Sequence, residues 1–582
     1  MHWWHWVDIH CLTQPGQTPP VSKVCHSWPQ EQPQTSFRGG SHSQRGQRIR
    51  GPVTPEPMPV RSSVITWLTV HSIQRGGPEF HILHVVMAVL SRKKFLASPA
   101  ALAAQAGNGR AKNVLFLLSD QHRPGALGVR GDVHARTPHL DMLARAGMRF
   151  DHAYCAYPVC TPSRAALLTG TFAHTNGVYN NATPWPFAVK TVADYFGRHG
   201  YMTGLIGKMH FVDAQTHGFD YRLDFNDWWQ YLGPKTRVYA DELAAPNSGS
   251  GLPQIPALWE DHGDPWLGAR TKDAREAFVH VGRASLLEEQ DHFESFVARE
   301  TLRFLKTQGT RQPFFLVASF LKPHDPFMPP KRWAEKFAPD DMRLPATFGR
   351  IRPGQAEAAT VPQAIRGIAA RHAPTPEVRD EAQARQRMAM YYANIAYLDD
   401  VLGGVLRGLR ELGLEENTLV VYSSDHGEML GEHGCWQKSL FYEPSCGVPL
   451  VFRGPGVKAG AVCATPVSQV GLAATLLDAC GLPVPAGLDE PSFARLLRDP
   501  EAAWTRPVFA EFALGTRQAR YMIRDGDWKF NHWVNDLAEL YNLREDPEEK
   551  RNLALDGRHQ GKLAELKGKL FAWHKPEGNA IL

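Results

Sequence analysis

Cys160 and Arg164 lie in CTPSRAALLTG, a thiol and a guanidinium four positions apart, with Pro162 between them, at the mouth of a stretch that reads as a helix. Residues four apart share one helical face, so the pair can serve a single site. A second set of donors stands elsewhere in the chain. Asp120 and Gln121 close the apolar run NVLFLLSD, and Asp425 and His426 close TLVVYSSD. Brought together, these strand ends would join two carboxylates, an amide oxygen and an imidazole at one point. An oxygen-rich set favours a hard divalent cation such as calcium, and the imidazole moves the preference toward manganese. A lone Ser-Asp is ordinarily a cap or loop pair, but two strand-end aspartates, each followed by a further donor, favour a metal site. The cysteines show no zinc spacing.

The elements that must position these residues read as α/β. NVLFLLSD and TLVVYSSD are short continuous apolar runs, the pattern of parallel strands buried on both faces. TPHLDMLARAGMRF has Thr137 as a cap, Pro138 in the first turn and Gly147 as a stop, and RMAMYYANIAYLDDVLGGVLRGLRELG is a longer helical pattern. Strands alternating with helices imply a mostly parallel central sheet flanked by helices, with ligands beyond the carboxyl ends of the strands. From about Asp220 to Gln290 the pattern is irregular, with Trp228, Trp229, Trp259 and Trp266 among Pro and Gly. Such a segment is a lid, a specificity wall or a set of tryptophans pinned to the core. After Pro507 short alternating runs and a closing helix from about Gln560 predict a smaller antiparallel sheet.

The boundaries drawn are a leader over 1–108, a catalytic domain over 109–500 and a C-terminal subdomain over 501–582. Residues 1 to about 78 are rich in Pro, Gln, Ser, His and Trp and read as disordered. From Met87, MAVLSRKKFLASPAALAAQAG sets a basic cluster before an Ala-rich run and an A-x-A site at 104–106. This is similar to a twin-arginine export signal with lysine for one arginine. It predicts a periplasmic or secreted protein, with Met87 as a natural start, or a cytoplasmic one if the segment is a plain leader. No run is long enough for stable membrane insertion as a helix. The 64 Lys and Arg against 59 Asp and Glu are too balanced and dispersed for a nucleic-acid surface. Eight scattered cysteines leave the redox compartment open.

CTPSRAALLTG resembles the signature of the type I sulfatases, in which the cysteine of C-x-P-x-R is oxidised to formylglycine by a separate enzyme. The resemblance extends through NVLFLLSDQH, GLIGKMHF, SFLKPHDPF, SDHGEMLGEHGCWQK and the C-terminal DGDWKF and AELYNLREDPEEKRNL, in that order. It implies an alkaline-phosphatase-like fold and a sulfuric ester hydrolase. In that reading formylglycine at Cys160 is hydrated. One hydroxyl attacks sulfur, the alcohol departs, and the second hydroxyl expels sulfate and restores the aldehyde. Asp120, Gln121, Asp425, His426 and the modified Cys160 match the ligands of one divalent metal. Pro162 and Arg164 match residues read by the modifying enzyme, with Arg164 afterwards holding the hydrate. Lys208 and His210 match contacts to sulfate and hydrate, His324 a sulfate-binding acid for the leaving oxygen, and Lys438 a bridge between nucleophile and substrate. Asn181 is a further candidate for substrate contact.

Gln121 and His426 depart from the common Asp and Asn of such enzymes. This removes one negative charge, as in choline-sulfatase-like enzymes and phosphonate monoester hydrolases, and makes manganese more competitive with calcium. Gly125 stands where Asp is common. A formylglycine-dependent phosphonate monoester or phosphodiester hydrolase is the nearest rival, since sulfate and phosphate share tetrahedral geometry. An inactive binder of sulfated glycans is a second rival, and a zinc phosphatase using Thr161, lacking a His-rich ligand set, is a remote third. The expected partners are a sulfated small molecule or glycan and a formylglycine-generating enzyme.

Overall fold

The computed structural model describes residues 66–73, 80–87, 111–211, 215–238, 282–349, 359–372 and 381–575. Near the amino end, β1 (Thr66–Ile73) and β2 (Phe80–Met87) pair antiparallel. TWLTVHSI and FHILHVVM are rich in β-branched and apolar residues, which suit an extended ladder. Regular structure therefore occurs inside a stretch expected to have none. The rest of 1–108, including the export-like segment beyond Met87, lies outside the described residues.

The central sheet is built from β3 (Asn113–Asp120), β4 (Met148–Tyr154), β5 (Met202–Gly207), β6 (Tyr221–Leu223), β7 (Phe314–Pro323), β8 (Thr418–Ser424), β9 (Gly447–Arg453), β10 (Ala461–Cys463) and β11 (Val467–Ser468). Its order is β10-β4-β9-β8-β3-β7-β5-β6, with β11 also on β4. The pairs are parallel except where β9 runs against β4 and β8. The expected mostly parallel sheet is thus present. Along β3, Val114, Phe116 and Leu118 enter one apolar cluster and Leu115 and Leu117 the opposite one. Cover on both faces is why its sequence is continuously apolar instead of alternating. Because β3 lies between β8 and β7 in parallel register, with Ser119 opposite Ser424 and Asp120 opposite Pro323, the donors of three distant segments leave the sheet at one edge.

The helices fix this edge. α1 (Pro138–Ala146) begins after Thr137 as expected, but Thr137 does not cap it. The Thr137 hydroxyl accepts from Gly128 N and donates to Asp141, while the first helical amides, His139 N and Leu140 N, donate to Asp399. A carboxylate from another helix serves the positive end better than a local hydroxyl. α1 ends at Gly147, where a side chain would strike the Phe452 carbonyl, a Cβ lying 2.0 Å from its oxygen. α2 (Cys160–Thr169) is buried along its whole length. α3 (Phe225–Leu232) opens the segment expected to be irregular, with a reciprocal cap between Asp224 and Asp227. Trp228 is buried there and its indole N–H donates to Asp291 O, so it pins rather than stacks on a ligand. Trp259 and Trp266 lie outside the described residues. α4 (Glu381–Glu411) is the long helix read from its periodicity.

The last part of the chain forms the antiparallel sheet β12 (Val508–Phe512), β13 (Arg520–Asp525), β14 (Trp528–Trp533) and β15 (Glu539–Asn542), followed by α5 (Gln560–Trp573), as the alternation predicts. Leu563, Leu566 and Leu570 form the buried stripe of α5. This sheet grips the loop after β8: Arg520 donates to Ser439 O, Tyr442 to Glu539, and Lys529 to Glu443. Among the described residues no helix is long and apolar enough to cross a membrane.

One contact between the C-terminal sheet and the rest of the chain holds a titratable histidine against a buried carboxylate. Glu511 of β12 is fully buried and accepts from both His174 N and His174 Nδ1, at 2.9 and 2.7 Å. Burial lowers the His174 pKa, but the bond and charge of Glu511 outweigh it and raise the value above that of a free histidine. A raised histidine pKa adds stability that is complete below the unfolded value and fades as pH rises through the folded one. His174→Gln keeps a donor that does not titrate. Its melting temperature is expected to fall below wild type by several degrees near pH 6, and the gap to close as the pH is raised, read from paired melts at increasing pH.

Candidate active site

Cys160 is the first residue of α2 and is fully buried. Its Sγ lies 3.2 Å from His426 Nε2, 3.8 Å from Asp120 Oδ1 and 3.7 Å from Lys208 Nζ. Ligand atoms of Asp120, Cys160, Asp425 and His426 all fall within 4.8 Å of one another. His426 Nε2 is 3.8 Å from Asp120 Oδ1 and 3.7 Å from Asp425 Oδ1, the spacing of donors arranged around one ion. The imidazole is set for that role. Its Nδ1–H donates to Gly427 O at 3.0 Å, leaving the Nε2 lone pair facing the cluster, and burial lowers its pKa so that it stays neutral. Two buried carboxylates, a thiol and a neutral imidazole therefore fit a divalent cation.

Arg164, one turn along α2, holds the carboxylates from behind. Nε donates to Asp425 Oδ2 and Nη2 to Asp120 Oδ2, both at 2.9 Å, and Nη1 donates to Lys208 O and Ser319 Oγ. The guanidinium is bound to both carboxylates and stands near Cys160, whose thiol is among the groups that act on it. Lys208 Nζ adds a 2.8 Å contact to Asp120 Oδ2. Burial raises the Asp120 carboxyl, but Lys208, His324, Arg164 and His426 outweigh it and hold the group well below the usual carboxylate range.

The remaining expected residues also converge. His324 follows β7, with Nε2 3.8 Å from Asp120 Oδ1; its Nδ1 donates to the Asp325 carbonyl at 2.6 Å and lies 2.9 Å from Asp325 Oδ1 as an ion pair. Burial and Lys438 lower its pKa, yet Asp325 and Asp120 carry it up to about 9. Lys438 Nζ touches His324 Nε2 at 2.7 Å and Gln121 Oε1 at 2.6 Å. Gln121 thus lies at the site with its amide oxygen engaged by Lys438, not directed into the Asp-Cys-Asp-His cluster alone. His210 is buried with neither ring nitrogen hydrogen-bonded, and burial together with Lys208 and Arg164 keeps it neutral. Asn181 Oδ1 accepts from Thr161 N at 3.0 Å, anchoring its loop to the start of α2, and Thr161 Oγ1 is unpartnered.

Two acids of the site are absent from the sequence reading. Asp325, which orients His324, is the next residue in KPHDPF; Glu428, which binds Gln121, follows His426 by two in DHGE. An acid beside each functional histidine was the available signal.

The Sulfatase family model matches residues 112–482, and that of the N-sulphoglucosamine sulphohydrolase C-terminal region matches 431–575. The chain is 32% identical over 460 residues to a choline-sulfatase of Rhizobium meliloti (strain 1021), spanning 76% of this chain and 82% of that protein. Its structure is similar to the phosphonate monoester hydrolase of Agrobacterium radiobacter, with TM-score 0.64 and 25% identity over 79% of this chain and 95% of that one. It shares its fold with a protein solved with its substrate D-glucosamine-2-N,6-O-disulfate, with TM-score 0.62 and 23% identity over 80% and 98%.

Arg164→Met would leave two buried carboxylates without their guanidinium. The unmodified protein is expected to lose about 3–5 kcal/mol in urea unfolding. A saturating divalent cation should restore part of that loss, because it replaces the missing positive charge. A loss unaffected by metal would show that Arg164 serves packing alone.

Proposed function

The chain belongs to the sulfatase family and is a sulfuric ester hydrolase, and we propose that it works through a formylglycine derived from Cys160 beside one divalent cation held by Asp120, Asp425 and His426. The observation that carries this reading is the position of Cys160 Sγ, in contact distance of two ligand side chains and of Lys208. The ion, for which calcium and manganese are the candidates, would supply positive charge to the sulfate, and the hydrated aldehyde would supply the nucleophilic hydroxyl and the second one that ends the cycle.

The chain's own residues do the rest. Lys208 and Lys438 place two ammonium groups where charge grows on the sulfate oxygens. Neutral His210 offers one donor and one acceptor to the reacting groups. His324 is an acid oriented by Asp325, so that Nε2 faces the site and can protonate the leaving oxygen. Lys438 Nζ lies 2.7 Å from His324 Nε2, and with both groups protonated an oxyanion between them would accept from each. Asn181 lies on the segment that exposes Tyr179 and Phe187, 40% and 79% accessible. Flat aromatic faces there suit a sugar ring or another small sulfated organic group. Maturation requires a separate formylglycine-generating enzyme.

Cys160→Ala and Cys160→Ser, produced with that maturation partner, are expected to keep the fold by circular dichroism and lose turnover of nitrophenyl sulfate by at least about a thousandfold. Intact mass of the wild type should show sulfur replaced by oxygen at this residue. Preference for a phenyl phosphonate ester over the sulfate would instead support the phosphonate-hydrolase reading.

For His324→Ala, the cost should grow with the difficulty of the leaving group. Nitrophenyl sulfate should lose about tenfold, and an alkyl or sugar sulfate about 10²–10⁴-fold. An equal loss on both would remove His324 from the acid role.

A further inference from the structure

Gln121 stands beside the ligand cluster as a neutral amide, and its side chain is bound at both ends. Its Oε1 accepts from Lys438 Nζ at 2.6 Å, and its Nε2 donates to Glu428 Oε2 at 2.6 Å. A primary amide has nearly the same shape in either orientation, so its partners decide which end faces where. Lys438 is an ammonium and only donates, which requires the amide oxygen on that side. Glu428 sets the other side. Its Oε1 accepts from Leu430 N at 2.9 Å and from Gln437 N at 2.6 Å, and its Oε2 receives Gln121 Nε2. Each of these partners donates, and Glu428 itself is fully buried. A flipped amide would set an N–H against an ammonium and an oxygen against a carboxylate.

We infer that Glu428 is a positioning residue that orients the Gln121 amide, keeping its oxygen toward Lys438 and the cation site, and that it returns from one side chain behind the negative charge Gln121 lacks. The inference rests on the metal-site reading above. It also gives Glu428 a second duty: by holding Leu430 N and Gln437 N, it closes the loop that presents Lys438. The amide carries no charge, so the cation would meet an oxygen dipole from Gln121 while the compensating carboxylate remains outside direct reach.

The test is a reciprocal exchange between isosteres. Glu428→Gln, with the new amide oxygen held by Leu430 N and Gln437 N, sets an N–H against Gln121 Nε2. Gln121→Glu sets two carboxylates against each other. In the double exchange, the amide introduced at position 428 can still accept from Leu430 N and Gln437 N through its oxygen and donate its N–H to the carboxylate introduced at position 121. Stability is read on the unmodified chain, and manganese affinity by calorimetry and by metal-induced melting shift; kcat and KM are read on the matured enzyme. Each single variant is expected to weaken manganese binding and kcat by about 10–100-fold with a smaller change in KM, and the double exchange to recover most of both. Single variants with wild-type metal affinity and kcat would overturn the inference. So would a double variant whose losses are the product of the single ones, or a recovery confined to stability. If wild type itself shows no metal-dependent shift, the metal-site reading fails first and the inference with it.

Discussion

Arg164 between Asp120 and Asp425 is the contact on which the site turns. Two carboxylates from neighbouring strands, both fully buried, would repel each other in the absence of a cation. The guanidinium matches their geometry because its planar fork gives one N–H to each acid while Nη1 ties the assembly to Lys208 O and Ser319 on two further strands. Since Arg164 stands on the helix that begins with Cys160, one side chain fixes the distance from the reactive residue to its ligands. A lysine could neutralise the charge but not hold four groups in register.

Around this centre the backbone takes conformations that side-chain-bearing residues seldom adopt. Gln121, His210, Gln437 and Ser439 have φ of 65°, 58°, 65° and 81°. Each sits at or beside a residue that lines the site. Left-handed backbone at a residue with a Cβ costs of order 1 kcal/mol and persists where the surroundings over-determine it. Here they do: Glu428 clamps Gln437 N, Arg520 holds Ser439 O, and Ser439 N is bonded to Pro158 O. The C-terminal sheet thus braces the turn that carries Lys438.

Much of this was legible in the sequence, and the exceptions have physical causes. Two apolar runs ending in Asp were enough to place Asp120 and Asp425 at one sheet edge, since strands buried on both faces carry their own signal. The alternation after Pro507 gave the second sheet and its closing helix. What periodicity could not supply was the partner of a polar group. Thr137 has the right type and place for a cap, yet Asp399, some 260 residues away, takes the helix amides. The helical spacing of Arg164 and Cys160 could be read locally, but the two carboxylates that Arg164 binds are distant in sequence and could not. Trp228 looked available because Pro and Gly surround it, although its helix is capped at one end and sealed to Asp291. Polar choices depend on burial, and burial is set by the assembled fold.

The same reasoning explains why the site should seize an anion. Arg164, Lys208, Lys438 and the raised His324 oppose Asp120, Asp425, Asp325 and Glu428, so the protein's own charges nearly balance before any cation enters. A fifth cation, Arg387, is buried behind Asp325 and Glu428, stacked on Trp436 at 4.1 Å, with Nε and Nη1 lacking hydrogen-bond partners. A divalent ion added to this set leaves an excess of positive charge in a place with little water to screen it, where each charge acts at several times its strength in solution. Such an excess favours any small oxyanion ester. Charge of this kind favours capture without choosing among such esters, so discrimination must come from groups that meet the leaving part of the ester.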